Sequence, residues 1–114
     1  MSHLSDLEIT RACAEAMGYV IDENTSASFS YTAIWVKRPD APPGIYYPLV
    51  DDAQAMALVK NKYLSIDLGS DAWFVRAPYD ALINENNRVA AHSDLNRAIC
   101  ECVAKLQQAK AATA

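Results

Sequence analysis

Segments with helical and strand-like patterns alternate along this chain. Three segments space their apolar residues as on one face of a helix, and the two segments between them are dense in aromatic and β-branched residues interrupted by turn signals. Each of these two segments predicts a hairpin, and hairpins give antiparallel strand pairs. The order helix, hairpin, helix, hairpin, helix therefore predicts an α+β fold in which one antiparallel sheet carries three helices.

The three helices have recognisable starts. Ser5 and Glu8 have the spacing of a capping box, which predicts a helix from Asp6 to Met17 that Gly18 closes. Asp51 and Asp52 supply side-chain hydrogen-bond acceptors and negative charge, which predict the start of a second helix that runs to about Lys62. Its expected apolar face consists of Ala55, Met56 and Val59, with Leu58 beside it. Ser93 or a neighbour caps the last helix, whose stripe is Leu95, Ile99, Cys102, Val103 and Leu106; the alanine-rich tail from 108 to 114 is expected to fray.

The hairpins and loops follow from local composition. Phe29 to Lys37 predicts a strand, Pro39 to Gly44 a chain reversal, and Ile45 to Tyr47 the strand that pairs back. The second hairpin comprises Tyr63 to Leu68 and Ala72 to Arg76. Polar residues 22–26 predict a loop, and Pro78 to His92 predicts a long loop, the most variable surface of the protein.

Composition indicates one globular domain. The chain has 114 residues, of which 52% are hydrophobic and 21% charged, so one domain over 1–114 with a core of about 4–107 is expected. Its formal charge is −4 and its basic residues are scattered, which argues against nucleic-acid binding. Neither a signal peptide nor an apolar stretch of bilayer-spanning length is apparent, so no membrane association is expected and the predicted location is the cytoplasm.

No catalytic or cofactor motif emerges from the sequence. The three cysteines at 13, 100 and 102 fit neither a disulfide framework nor a zinc site, and reduced, buried thiols are the preferred interpretation. With only three glycines, the chain offers no dinucleotide fingerprint or phosphate loop. We therefore predict a protein that is not an enzyme, with no metal and no cofactor. A thiol enzyme using Cys100 beside His92 is kept as an alternative, and the Asp51–Asp52 pair is interpreted as a helix cap rather than an acid/base pair.

Part of the second half resembles a family of small phage proteins. Residues 46–66, Tyr-Tyr-Pro-Leu-Val-Asp-Asp through Tyr-Leu-Ser-Ile, are similar to an aromatic-x-Pro motif followed by an acidic helix start, a helix and a strand. A Trp-bearing strand (73–75) and a final amphipathic helix (94–100) follow in the same order, and the opening 4–9 with Gly18 looks like the N-terminal segment. The families are the NinX-like phage proteins and the phage ABA-sandwich domain. The resemblance implies an α-β-α sandwich and a phage or prophage origin, but no activity, because these families have no established catalytic residues.

Two surfaces are candidates for function. The first hypothesis is binding to an unknown host or phage protein through the proline turn and the long loop, with candidate contact residues Pro42, Pro43, Tyr79, Asn84 and Asn87. The alternative is a pocket for a small, nucleotide-like anion, in which aromatic rings stack and arginines clamp the anion. Its candidate residues are Trp35, Trp73, Arg76 and Arg88.

Overall fold

The protein has a mixed α+β fold, as the sequence predicts. The computed structural model describes residues 4–27, 33–39, 41–80 and 83–113. In chain order its elements are α1 (Asp6–Ala16), β1 (Val20–Ile21), α2 (Glu23–Ser26), β2 (Ile34–Arg38), β3 (Ala41–Tyr46), α3 (Asp52–Lys62), β4 (Ser65–Leu68), β5 (Trp73–Arg76), a 3₁₀ helix (Glu85–Arg88), β6 (Val89–His92) and α4 (Leu95–Thr113). The three predicted helices and both predicted hairpins are present.

The strands of the described chain form two sheets rather than the single sheet expected. One antiparallel sheet has the order β1-β2-β3 and the other the order β4-β5-β6. Each predicted hairpin gains a third strand from a segment that the sequence did not indicate as a strand. Val20 of β1 pairs with Lys37, and Val89 of β6 pairs with Arg76. The sequence of β1 and of β6 has no clear strand pattern of its own, and the conformation of each is set by the neighbour with which it pairs.

The first hairpin turns earlier than predicted. Strand β2 ends at Arg38 and β3 already begins at Ala41, so Pro42 and Pro43 lie within a strand. Proline is tolerated there because β3 is at the edge of its sheet, where a missing N–H breaks no ladder bond. The register in which β2 pairs with β3 shifts between Val36 and Arg38. The predicted strand segment at 29–32 lies outside the described residues.

Helix α1 begins and ends as its sequence predicts. The Ser5 Oγ accepts a hydrogen bond from the Glu8 amide at 3.1 Å, and the Glu8 Oε1 accepts one from the Ser5 amide at 2.9 Å. After Met17, Gly18 takes a left-handed conformation with φ 76°. Both ends of the helix are therefore closed by interactions between residues close in sequence.

Helix α3 starts at the predicted cap but has a narrower buried face than expected. The Asp51 Oδ1 accepts the Gln54 amide at 3.0 Å, and the helix ends at Lys62. Ala55 and Leu58 are buried, whereas the Met56 side chain, which was predicted to face the core, is 41% exposed. Two buried positions in three turns leave the outer side of α3 available for other contacts.

The two segments predicted to be loops contain regular structure. Within 22–26, the Asp22 side chain accepts the Thr25 amide at 3.1 Å and starts α2. Within 78–92, Asn84 caps the 3₁₀ helix, and β6 then pairs with β5. The long loop is thus shorter than predicted, covering only the described residues from 77 to 84 before the 3₁₀ helix begins.

Helix α4 is the central element of the core. It packs against α1, α3, β5 and β6, while α1 packs against β1 and β2, so the two sheets are joined through the α1–α4 contact. Its buried positions are Ala98, Ile99, Cys100, Cys102, Val103 and Ala104, a wider face than the predicted stripe. The helix continues to Thr113. No helix in the described chain combines the length and the apolar character needed to cross a membrane.

Candidate functional site

The residues predicted to form an anion pocket are divided between the two sheets. Trp35 belongs to β2 in the first sheet, whereas Trp73 and Arg76 belong to β5 in the second. Both tryptophans are half-buried. The Arg76 Nε lies 3.9 Å from the Asp67 Oδ2, with both side chains largely in solvent. The two indole rings are thus carried by strands that are not hydrogen-bonded neighbours.

Arg88, the fourth predicted pocket residue, is engaged inside its own loop. Its side chain is only 13% exposed and forms an ion pair with Glu85. Its Nε donates to the Pro78 carbonyl at 3.0 Å and its Nη2 to the Ala77 carbonyl at 3.1 Å. A guanidinium that is already bonded to two carbonyls and a carboxylate stabilises this loop, and it is not free to clamp an anion.

The same loop presents Tyr79 to solvent. The Arg88 Cζ lies 5.4 Å from the centre of the Tyr79 ring, a cation–π distance, yet 76% of the Tyr79 side chain remains exposed. Asn84 uses its Oδ1 to accept the Asn86 amide at 2.9 Å, and the Asn87 amide donates to the Asn84 carbonyl at 2.9 Å. Asn84 and Asn87 therefore shape the 3₁₀ turn, and Tyr79 is an exposed aromatic residue of the loop.

The prolines predicted to bind a partner lie elsewhere. Pro42 and Pro43 are exposed on β3, the edge strand of the first sheet. Tyr79 follows β5 in the second sheet. The two predicted contact regions are therefore presented by different sheets.

The three thiols are buried among core side chains. The Cys13 Sγ contacts the Cys100 carbonyl at 3.6 Å, and the Cys102 Sγ contacts the Arg88 carbonyl at 3.6 Å. Hydrogen bonding to Cys100, followed by burial, raises the pKa of Cys13, and burial raises the pKa of Cys102 to about 11. Cys13 and Cys102 therefore favour the protonated thiol, which is a poor nucleophile.

The remaining candidates for catalysis have structural partners. The His92 Nδ1 accepts the Asp94 amide at 2.9 Å, just before α4 begins. Asp51 caps α3, and the Asp52 Oδ1 accepts the Asn96 Nδ2 at 2.8 Å, which links α3 to α4. Within the described ranges, no group of three or more His, Cys, Asp or Glu side chains is placed to hold a metal ion.

Two features of the surface have no counterpart in the sequence analysis. A cavity of about 230 Å³ lies between α1 and the first sheet, where a double hydrogen bond from Arg11 to Glu23, at 2.9 and 2.5 Å, forms part of its wall. Ala27 and Ala33 in its lining adjoin residues 28–32, which lie outside the described chain. The second feature is Tyr63, which ends α3 with a positive φ of 55°. The lack of a glycine after Lys62 is the sequence signal that could have indicated the left-handed conformation of Tyr63.

Comparison with known proteins reveals no relative of this chain. Neither the protein-family models, nor the curated proteins, nor the solved structures contain a match to the chain. The resemblance to small phage proteins therefore depends on the residues that carry it, chiefly those at 46–66.

Proposed function

We propose that this protein is a small accessory protein without catalytic activity, of phage or prophage origin, that acts in the cytoplasm by binding another protein. The observation that supports the binding role best is the loop around Tyr79. There a mostly buried arginine fixes the backbone while a large aromatic side chain stays 76% exposed. Tyrosine is among the residues that most often dominate the binding energy of protein interfaces.

The fixed backbone makes this loop well suited to recognition. Arg88 bonds the carbonyls of residues 77 and 78 directly before Tyr79, so the position of the ring is defined before a partner arrives. This loop then loses less conformational entropy on binding a partner than a flexible loop would. Exposed polar groups of the 3₁₀ turn at Asn84 and Glu85 would form the rim of the contact.

The prolines of β3 offer a second contact. Pro42 and Pro43 are exposed, and because neither has an N–H to donate, this edge cannot form a full ladder of hydrogen bonds with a strand of another chain. A partner at this edge would instead pack against the rigid rings.

The alternative of a nucleotide-like anion pocket has less support. Arg88 is engaged by its own loop, and Trp35 belongs to a different sheet from Trp73 and Arg76. The proposed origin is supported by the resemblance at 46–66, where the acidic helix start corresponds to the Asp51 cap of α3.

Quantitative affinity capture tests the proposed function. Tagged protein is incubated with bacterial lysate, and the proteins retained by the wild type are compared by mass spectrometry with those retained by Tyr79→Ser. We expect at least one protein whose enrichment falls about tenfold in the variant. Tyr63→Ser, which changes an equally exposed tyrosine on another element, is the matched control and should keep the partner. Failure to enrich any protein, or equal enrichment by Tyr79→Ser, would refute binding through this loop.

A further inference from the structure

The end of α3 combines an unusual backbone with an exposed aromatic ring. Tyr63 has φ 55° and ψ 45°, and its amide and that of Leu64 both donate to the Val59 carbonyl, the latter at 3.0 Å. This left-handed position normally holds glycine or asparagine, since a β-carbon crowds the following carbonyl. The Tyr63 side chain is nonetheless 80% exposed, and no hydrogen bond or ring contact to another described residue accounts for it.

Met56 and Lys60 are four positions apart on one face of α3, and Tyr63 ends the helix three positions later. Along the helix axis, Met56 and Tyr63 are about 10 Å apart. We call these three residues the outer stripe of α3. Met56 is 41% exposed and Lys60 is exposed, whereas Ala55 and Leu58 on the inner side are buried. The outer stripe thus offers two large apolar side chains on either side of an ammonium group.

The charge at this end of α3 is positive in a chain whose net charge is −4. Lys60 and Lys62 lie in the last turn, and the ion pairs found among the described residues include neither. Burial, and then the positive charge of Lys110, lowers the pKa of Lys62. The helix dipole accounts for part of the preference for lysine here, but it leaves two ammonium groups without a carboxylate partner.

We propose that the outer stripe of α3, with Lys62 at its rim, docks an acidic segment of another protein that carries at least one large apolar side chain. The apolar side chain packs between Met56 and the Tyr63 ring, and the carboxylates pair with Lys60 and Lys62. This explains why a bulky ring occupies a position where glycine would fit without strain, because strained positions are retained where the side chain has a task. The surface is distinct from the Tyr79 loop and does not depend on it.

A peptide-display experiment identifies the chemistry of the partner. A yeast-displayed library of random 12-residue peptides serves as the probe and is sorted for binding to the full-length protein. We expect the selected peptides to be enriched in Asp and Glu together with Leu, Phe, Trp or Met, and their binding to weaken as salt is raised.

Three variants then locate the binding surface. Affinity for the selected peptides should fall at least tenfold with Tyr63→Gly and with the double variant Lys60→Glu/Lys62→Glu, and it should be unchanged with Tyr79→Ser. Tyr63→Gly removes the ring while relieving the backbone, so loss of binding in that variant is not a loss of folding. The proposal is wrong if no acidic peptides are enriched, or if the selected peptides bind Tyr63→Gly as well as the wild type. Peptides that depend on Tyr79 but not on Tyr63 would also refute it, and would instead support the proposed function.

Discussion

The guanidinium of Arg88 lies over the ring of Tyr79 and donates hydrogen bonds to the carbonyls of Ala77 and Pro78, the two residues before Tyr79. This arrangement needs a planar group with several donors, which lysine does not have. We expect Arg88→Lys to lower the free energy of unfolding by about 1–2 kcal/mol, because at least one partly buried carbonyl loses its donor. Urea unfolding measures this change, and limited chymotrypsin digestion should show faster cleavage after Tyr79. Arg76→Lys, at an exposed arginine of β5, is the control and should change stability by less than about 0.5 kcal/mol. Equal effects of the two substitutions would contradict the role of Arg88.

Neighbouring apolar residues of α3 should differ greatly in their contribution to stability. Leu58 is fully buried against the core, whereas Met56 faces solvent two positions earlier. Leu58→Ala is expected to cost about 2–4 kcal/mol through lost burial and the cavity it leaves. Met56→Ala should cost less than about 0.5 kcal/mol. Chemical denaturation of both variants checks the assignment of the two faces, which would be wrong if Met56→Ala proved as destabilising as Leu58→Ala.

The helices could be predicted because their determinants are local. Hydrogen-bond acceptors stand where the first turn of each helix needs them, from Ser5 and Glu8 in α1 and from Asp51 in α3. These residues can be recognised in the sequence alone. The prediction that Met56 faces the core was wrong for a different reason. Its spacing suits an inward face, but the actual face is set by where α4 packs against α3, which no local pattern specifies.

The division into two sheets and the details of the candidate surfaces depend on distant contacts. The short strand β6 exists because Val89 pairs with Arg76, thirteen positions earlier in the chain. Arg88 appeared to be a free cation in the sequence because its partners are mainly backbone carbonyls, which every residue has. Tyr63 could have been noticed only as the absence of a helix-ending glycine.

Acidification should weaken the contact between α1 and α2. The hydrogen bonds and charge of Arg11 lower the pKa of Glu23 below its ordinary 4.5. A carboxyl group with a lower pKa in the folded state than in the unfolded chain favours folding above the unfolded pKa, and this contribution disappears as pH falls through the folded pKa. The melting temperature should therefore drop between about pH 5 and pH 3, and the drop should be smaller for Glu23→Gln. A pH profile of Glu23→Gln identical to that of the wild type would show that this pair contributes nothing.

The three cysteines should resist alkylation in the folded protein. Cys13, Cys100 and Cys102 have no exposed surface, and the pKa of Cys102 is raised to about 11. Because the thiolate is the reacting species, iodoacetamide at about pH 8 should modify them at least about a hundred times more slowly than in concentrated guanidinium chloride. Mass spectrometry of peptides from a time course gives the rate at each cysteine. Rapid modification of Cys100 alone in the folded state would revive the thiol-enzyme hypothesis.

Replacing Tyr63 by glycine should stabilise the protein, which is an unusual outcome for removing a large side chain. The exposed ring contributes little burial, while the left-handed backbone at φ 55° is unfavourable for any residue with a β-carbon. We expect Tyr63→Gly to raise the free energy of unfolding by roughly 0.5–1 kcal/mol, and Tyr63→Ala, which keeps the β-carbon, to give no such gain. Tyr79→Gly is the matched control, because Tyr79 is similarly exposed but has no positive φ, and there the added freedom of the unfolded chain should lower stability. Guanidinium chloride unfolding of the three variants separates the effect of backbone strain from the effect of losing the ring. If Tyr63→Gly and Tyr79→Gly destabilised the protein alike, the backbone at Tyr63 would not be strained. The reason for assigning a binding role to the Tyr63 ring would then disappear.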